Sequence, residues 1–223
     1  MTARPTVQRL PERPPDDPLP LLADWLAHAA SGAQRNPHAM ALATTDGSGR
    51  PSVRMVLLRG IGAAEGYVVF YTHYRSRKAA EIESTGRAAA VLYWEDLGRQ
   101  VRLEGAVLRS PTEESDAYFA TRPWQSQLNA WTSEQSKPLA DPADLPRRAA
   151  RKALELGFDA ESAPDHPLPR PVFWGGFRLW LDAIEFWVEG TARFHDRLRY
   201  ARALEPAGTV YRGREWTKQR LQP

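Results

Sequence analysis

Two hydrophobic periods divide the chain. Leu22, Trp25, Leu26 and Ala29 recur at the spacing of one buried helix face. Asp17-Pro18 ahead of them supplies an N-cap and a proline at the first helical position, and Gly32 ends the run. From Ala39 the period shortens to that of strands. AMALATT, the turn Asp46-Gly47-Ser48-Gly49 and SVRMVLLR predict a β-hairpin with a four-residue loop. A second turn spans residues 60–66, and the mostly apolar YVVFYT fits a strand buried on both faces. Further strands are predicted over 88–94 and 100–108, then over VFWGGFRLWL, AIEFWVE, ARFHDRLRY and a last stretch at 216–221.

Helices punctuate these strands. Ser76 can cap a short one through Glu83, and Ser110-Pro111-Thr112-Glu113 has the capping-box form for another reaching about Ala120. Two more are predicted over 124–131 and 147–156. Residues 1–16 hold Pro5, Pro11, Pro14 and Pro15 among charges and read as a flexible arm, leaving 17–223 as one domain. Some eight to ten short strands joined mostly by tight turns predict a mainly β fold, an antiparallel barrel with flanking helices.

Composition narrows the function classes. At 223 residues the chain can bury one sizeable core. It has no Cys, which fits a reducing cytoplasm and excludes thiolate metal sites. Its five His are scattered, so no metal centre is expected. No apolar run resembles a signal peptide or a membrane span. A net charge of +3 is too small to argue for nucleic acid, and RRAARK, lacking interleaved aromatics, reads as a solvated helix face. No G-x-G-x-x-G or P-loop pattern occurs.

Four groups of polar residues stand where apolar ones would stabilise the elements better. Arg193, His195 and Arg197, two apart, share one face if their stretch is a strand, with Phe194 and Leu198 opposite and Trp187 upstream. Three nitrogen-rich side chains on one face call for an anion or an electron-rich ring among them. Arg54 and Arg59 lie in the apolar SVRMVLLR, where each needs a partner, either a barrel-rim salt bridge or a ligand. Tyr71-Thr72 leads into Ser76-Arg77-Lys78, where a strand end, a helix start and two cations could converge on a phosphate. Tyr118, Arg122, Ser126, Gln135 and Ser136 run through helical turns, and an Arg fork flanked by hydroxyls suits a second phosphate. No carboxylate pair or catalytic triad stands out, so an organic cofactor is expected to supply the chemistry.

These residues resemble the pyridoxamine (pyridoxine) 5′-phosphate oxidase family from Asp17 to the C-terminus. The resemblance rests on RMVLLR, FYT with SRKAAEIE, RQVRLEG, YFATRPWQSQLNAW, SEQS, FWGGFR, IEFW, RFHDR and the final RLQP. It implies a split-barrel homodimer with FMN bound across the interface. It also implies oxidation of a phosphorylated B6 vitamer to pyridoxal 5′-phosphate, with hydride passing from C4′ to the flavin and O2 as acceptor, giving H2O2. By the same resemblance, Arg54, Tyr71, Thr72, Arg77 and Lys78 hold FMN, with the backbone of Met55, Val56, Leu57 and Leu58 along the flavin and Gln100 near it. Gln135, Ser136, Trp187 and Arg197 come from the other subunit. Arg59, Tyr118, Arg122 and Ser126 bind the substrate phosphate, and Arg193 and His195 flank its ring.

The chain departs from the family in having Arg59 where Lys is usual, and its arm lacks the Arg-containing segment ending in Tyr. Two rivals follow: an oxidase of the same fold acting on a phenazine precursor, and a non-catalytic binder of FMN or pyridoxal phosphate.

Overall fold

Strand β1 (Ala39–Thr45) pairs antiparallel with β2 (Pro51–Leu57), Ala39 opposite Leu57, as the alternation predicts. In this computed structural model, which describes residues 9–32 and 34–223, the Asp46 side chain accepts the backbone N–H groups of Ser48 and Arg50 at 3.0 Å and closes the turn. The chain bends after β2 into the short β3 (Gly60–Gly62), which pairs with β4 (Tyr67–His73). At the bend, Arg59 N–H donates to the Val69 carbonyl at 2.8 Å.

β1 also pairs with β5 (Arg87–Trp94), and β5 pairs with β6 (Arg99–Arg109). β6 pairs along its length with β7 (Trp174–Val188), whose first half also pairs with β4. The circuit through β1, β2–β3, β4, β7, β6 and β5 therefore closes as an antiparallel barrel. The second half of β7 leaves it to pair with β8 (Asp196–Ala201), itself flanked by β11 (Thr217–Leu221).

β7 was expected as two strands. It is one strand of 15 residues because a bulge absorbs Asp182: Gly105 faces Leu181 while Glu104 faces Ala183. The bulge turns the strand from the barrel toward β8 without breaking it. A hairpin of β9 (Leu204–Ala207) and β10 (Val210–Gly213) was not anticipated, since its strands of four residues carry little apolar pattern.

Helix α1 (Leu19–Ser31) buries Leu22, Trp25, Leu26 and Ala29, the predicted stripe, and Trp25 meets Phe186 edge-on at 5.1 Å. Pro18, not Asp17, takes the N-cap position, and the Asp17 carboxylate one residue earlier accepts the Leu19 N–H at 2.9 Å. α2 (Arg77–Thr85) follows Ser76, and α3 (Thr112–Ala120) follows Pro111. The capping box expected there does not form: Pro111 takes the N-cap position, and the buried Ser110 hydroxyl has no partner among the described residues. α4 (Trp124–Thr132) and α5 (Asp144–Glu155) pack beside α3 around a second core of Phe119, Leu128, Ala153 and Trp174. Arg147 and Arg151 of α5 are exposed and pair within their own helix, as a solvated face does.

The predicted flexible arm divides. Residues 1–8 lie outside the described residues, whereas the stretch from Arg9 to Asp16 lies against the C-terminal strands. Leu10 is buried and its N–H donates to Asp196 at 2.9 Å, while Tyr200 and Lys218 donate to the Pro15 and Pro14 carbonyls. Proline left those carbonyls free, and β8 and β11 supply the donors. No helix among the described residues is long and apolar enough to cross a membrane.

A Cβ at Gly105 would lie 1.8 Å from the Trp180 carbonyl oxygen, so the bulge tolerates no side chain there. Gly105→Ala is expected to lower unfolding stability by about 1–3 kcal/mol or more, read as a lower denaturant midpoint.

Candidate active site

Helix α2 begins with two cations and no acid in its first turn. Because the helix N-terminus already carries partial positive charge, Arg77 and Lys78 are unfavourably placed unless an anion joins them. Ser76 was expected to cap this helix. Its side chain makes no capping bond and instead accepts from Lys78 Nζ at 3.3 Å. Lys78 also donates to Thr72 Oγ1 at 3.1 Å and to Gln135 Oε1 at 2.8 Å. Burial and the neighbouring Arg54 push the Lys78 ammonium down to about 8, against the opposing pull of Glu81.

These groups line one cavity of about 990 Å³, inside the size range of small-molecule sites. β2 contributes Arg54 and the segment Met55, Val56 and Leu57, and β4 contributes Tyr71 and Thr72. Leu58 is buried in the core and does not line the cavity. Arg59 enters from the β2–β3 bend, Tyr118 from α3, Arg122 from the α3–α4 turn and Ser126 from α4. Gln135 and Ser136 follow α4, with Ser136 held at φ +74°, a sparsely populated backbone conformation for a residue with a side chain. Arg54, Arg59, Arg77, Lys78 and Arg122 thus face one space that no carboxylate of the described residues lines.

The two ends of the cavity are built differently. Near α2, Arg54 donates to Leu42 O at 3.1 Å, Thr44 Oγ1 at 2.5 Å and Glu81 Oε2 at 3.1 Å, and also to Ser52 Oγ. The barrel-rim salt bridge considered from sequence is present at a residue that also lines the cavity. At the other end the Tyr71, Tyr118 and Trp174 rings lie nearly parallel in a cluster, Tyr71 3.9 Å from Tyr118 and 5.6 Å from Trp174, and Arg122 lies 4.4 Å from the Trp174 ring centre. Burial and the charge of Arg59 both push the Arg122 guanidinium down, and its buried Nη1 has no hydrogen-bond partner among the described residues. A buried, unpaired donor beside a second cation is the local signature of a site for an anion.

The remaining predicted residues gather elsewhere. Gln100, Trp187 and Arg197 occupy one cross-strand row of β6, β7 and β8, and none lines the cavity. The extended stretch expected at 193–195 is absent. Thr191 to Arg193 form a 3-10 turn, with Ala192 at φ +53° and Arg193 at φ +67°, and β8 starts only at Asp196. Phe194 is consequently 78% exposed rather than packed beside Leu198. Gly190 permits the turn, since a Cβ there would lie 1.7 Å from the Phe194 carbonyl oxygen.

His195 packs 4.5 Å from the Trp187 ring, and its Nδ1 accepts the Gly190 N–H at 3.2 Å. Arg197 meets the buried Glu185 at 2.7 Å, so this chain itself supplies that arginine's anion. Gln135 and Ser136 were expected across a subunit boundary with Trp187 and Arg197. They instead join the cavity of their own chain, where Gln135 contacts Lys78, while Gln100 sides with Trp187.

The sequence reading missed Glu81, Thr44, Ser52 and Trp174. Glu81 was detectable, standing four residues after Arg77 on a short helix. Ser52 was detectable too, two residues before Arg54 on one strand face, whereas Thr44 and Trp174 meet the site only through strand pairing.

Lys78 links the site to stability. The folded protein releases its proton near pH 8, the unfolded chain only near its ordinary 10.5. Between these values the unfolded state binds more protons, so this group makes stability rise with pH. Lys78→Met is expected to abolish that rise, read as denaturant midpoints of wild type and variant from pH 7.5 to 10.5.

Residues 26–159 match the family model described as pyridoxamine 5′-phosphate oxidase, and residues 174–223 match the pyridoxine 5′-phosphate oxidase C-terminal dimerisation region. A pyridoxine/pyridoxamine 5′-phosphate oxidase of Cereibacter sphaeroides is 46% identical over 208 residues, covering 93% of this chain and 96% of that one. The enzyme of that name from Rubrobacter xylanophilus is 46% identical, covering 93% and 87%. Among solved structures, PhzG from Burkholderia lata, in complex with tetrahydrophenazine-1-carboxylic acid, matches with a TM-score of 0.81 at 35% identity over 97% of this chain and 98% of that one. A pyridoxamine 5′-phosphate oxidase-related, FMN-binding protein from Nostoc punctiforme, 18% identical with a TM-score of 0.67 over 92% and 96%, shares the fold. With both halves of the chain matched and the 46% identity spanning 93% of it, the protein belongs to the pyridoxamine 5′-phosphate oxidase family.

Proposed function

We propose that this protein is an FMN-dependent oxidase that converts pyridoxine 5′-phosphate or pyridoxamine 5′-phosphate to pyridoxal 5′-phosphate. O2 is the electron acceptor, and H2O2 is released, with NH3 from the amine. One observation carries the reading: among the described residues, five Lys and Arg side chains and no carboxylate line a single cavity, in two groups. Two phosphoryl groups, one from a flavin and one from its reductant, match that charge distribution.

The donor set at the α2 end fits FMN. Arg54, Arg77 and Lys78 would hold its phosphate with Thr72, while Gln135 and Ser136 would add polar contacts and the Met55–Leu57 segment would lie along the ring. Tyr71, expected at that phosphate, stacks instead on Tyr118. Bound FMN supplies the two-electron acceptor for oxidation at C4′. Arg59, Tyr118, Arg122 and Ser126 would bind the substrate phosphate, Arg122 using the donor that has no partner among the described residues. Arg59 keeps the charge of the usual Lys but offers a planar fork, which orients a phosphate more narrowly.

The chain acts as a homodimer in this reading. Trp187, Arg193, His195 and Arg197 fall inside the matched dimerisation region yet off the cavity, so a second copy would bring them, with Gln100, to the site. Val53 and Met55 of β2, 68% and 63% exposed, offer apolar surface beside the cavity for that contact. Because Gly190 N–H donates to His195 Nδ1, the neutral ring carries its proton on Nε2 and can donate to a substituent of the substrate ring. Arg193 and His195 thus steer the ring so that C4′ is held at reacting distance, an orientation effect.

The likeness to PhzG supports a second reading, oxidation of a reduced phenazine precursor. A phenazine carboxylic acid offers Arg59 and Arg122 one singly charged carboxylate, a weaker match to two cations than a phosphate with its higher charge and three acceptor oxygens. Purified protein loaded with FMN is expected to release peroxide under air with pyridoxine 5′-phosphate. Turnover of the phenazine precursor alone would reverse the assignment. Arg122→Ala is expected to raise KM for the phosphorylated substrate about 10–100-fold, the worth of a hydrogen bond to a charged group, in steady-state kinetics.

A further inference from the structure

Glu81 lies behind the cavity wall, not on it. Its carboxylate is buried, and four side chains from three elements donate to it. Thr44 of β1 approaches at 2.5 Å, Ser52 and Arg54 of β2 at 2.6 and 3.1 Å, and Arg77 of its own helix at 2.7 Å. Burial alone would raise this carboxyl, but the four hydrogen bonds outweigh it and hold it down to about 2. It is therefore a permanent anion at working pH.

We infer that Glu81 is a positioning residue for the flavin phosphate: it orients Arg54 and Arg77 toward one phosphoryl group and offsets their mutual repulsion. This inference rests on the FMN reading above. Glu81 engages Nη2 of Arg54, while Leu42 and Thr44 engage Nη1, which fixes the guanidinium plane at the cavity wall. It takes only Nε of Arg77, leaving both terminal nitrogens of that side chain for another acceptor. A carboxylate set behind two ligand-facing cations does for a phosphate what outer partners do for a metal ligand. It restricts rotamers before binding and lowers the ordering needed on binding.

Charge adds a second consequence. Lys78 faces Arg54 from β2, Glu81 from its own helix and His73 from the end of β4, together with uncharged Thr72, Ser76 and Gln135. Among these, Glu81 is the anion that favours the Lys78 cation. Removing its charge shifts the Lys78 titration downward, and with it the pH at which the site stops attracting a phosphate.

The test is a titration of FMN into flavin-free protein, followed by quenching of flavin fluorescence, for wild type, Glu81→Gln and Thr44→Val, with thermal midpoints measured alongside. Glu81→Gln is expected to weaken FMN binding about 10–100-fold, the range seen for loss of an outer partner. Thr44→Val, which removes one donor to Glu81 and one acceptor of Arg54, should weaken it in the same direction by less. In wild type, affinity should decline as pH rises past about 8. In Glu81→Gln the decline should begin at lower pH, a shift that a loss of stability alone does not produce. Wild-type affinity and an unmoved pH midpoint in a folded Glu81→Gln overturn the proposal. Should that variant not fold, unchanged affinity in Thr44→Val overturns it. If wild type itself does not bind FMN, the functional reading falls and this inference with it; if wild type binds and the variants match it, only this inference falls.

Discussion

Crowded positive charge in a partly water-excluded cavity is the constraint around which this protein is built. Like charges held close in low dielectric repel strongly, and each loses hydration that a neutral group would not miss. A fold accepts such an arrangement when a ligand, or an internal anion, returns the energy. Here the internal anion is present. Glu81 neutralises part of the charge from behind, and no carboxylate of the described residues lines the cavity, so the remaining attraction is directed into it. The depressed Lys78 and the Nη1 of Arg122, without a partner among the described residues, are two local expressions of the same imbalance.

The barrel makes that imbalance possible by bringing short stretches together at one place. β2 and β4 do not pair directly, yet the bend through Arg59 carries residues of both to one cavity, and α2 starts where β4 ends. The helices α3 and α4 then roof the other end around Trp174. No single element holds the site. Each contributes one or two side chains, so the relative placement of strands, rather than any local motif, sets the distances.

β7 gives the molecule its second theme. One strand serves the barrel with its first half and the β8–β11 extension with its second, and the bulge at Asp182 reconciles the two directions. The row of Gln100, Trp187 and Arg197, together with the strained turn carrying Arg193 and His195, sits on this extension and not at the cavity of the same chain. Arg197 is already neutralised by Glu185, which holds the side chain ready without a ligand. This extension lies in the region that matches the family's dimerisation region, and under the proposed function one chain would carry two complementary halves of a site.

Periodicity alone determined most elements of this protein: the stripe of α1, the β1–β2 hairpin, the doubly buried β4 and the strands β5 and β6 all follow from side-chain alternation and turn chemistry, which are local. The candidate residues were legible too, because Arg54, Lys78 and Arg122 interrupt patterns that apolar residues would satisfy better. Tertiary structure decided which of them meet. Gln135 reaches Lys78 across 57 positions, Glu81 collects donors from strands more than 25 positions away, and the prolines of residues 11–15 are pinned by β8 and β11. The turn at 190–195 likewise left the strand pattern because Gly190 lets the backbone double back, which alternation does not record. Contacts of this kind depend on chain closure over long separations, and pairwise spacing in a sequence carries no information about it.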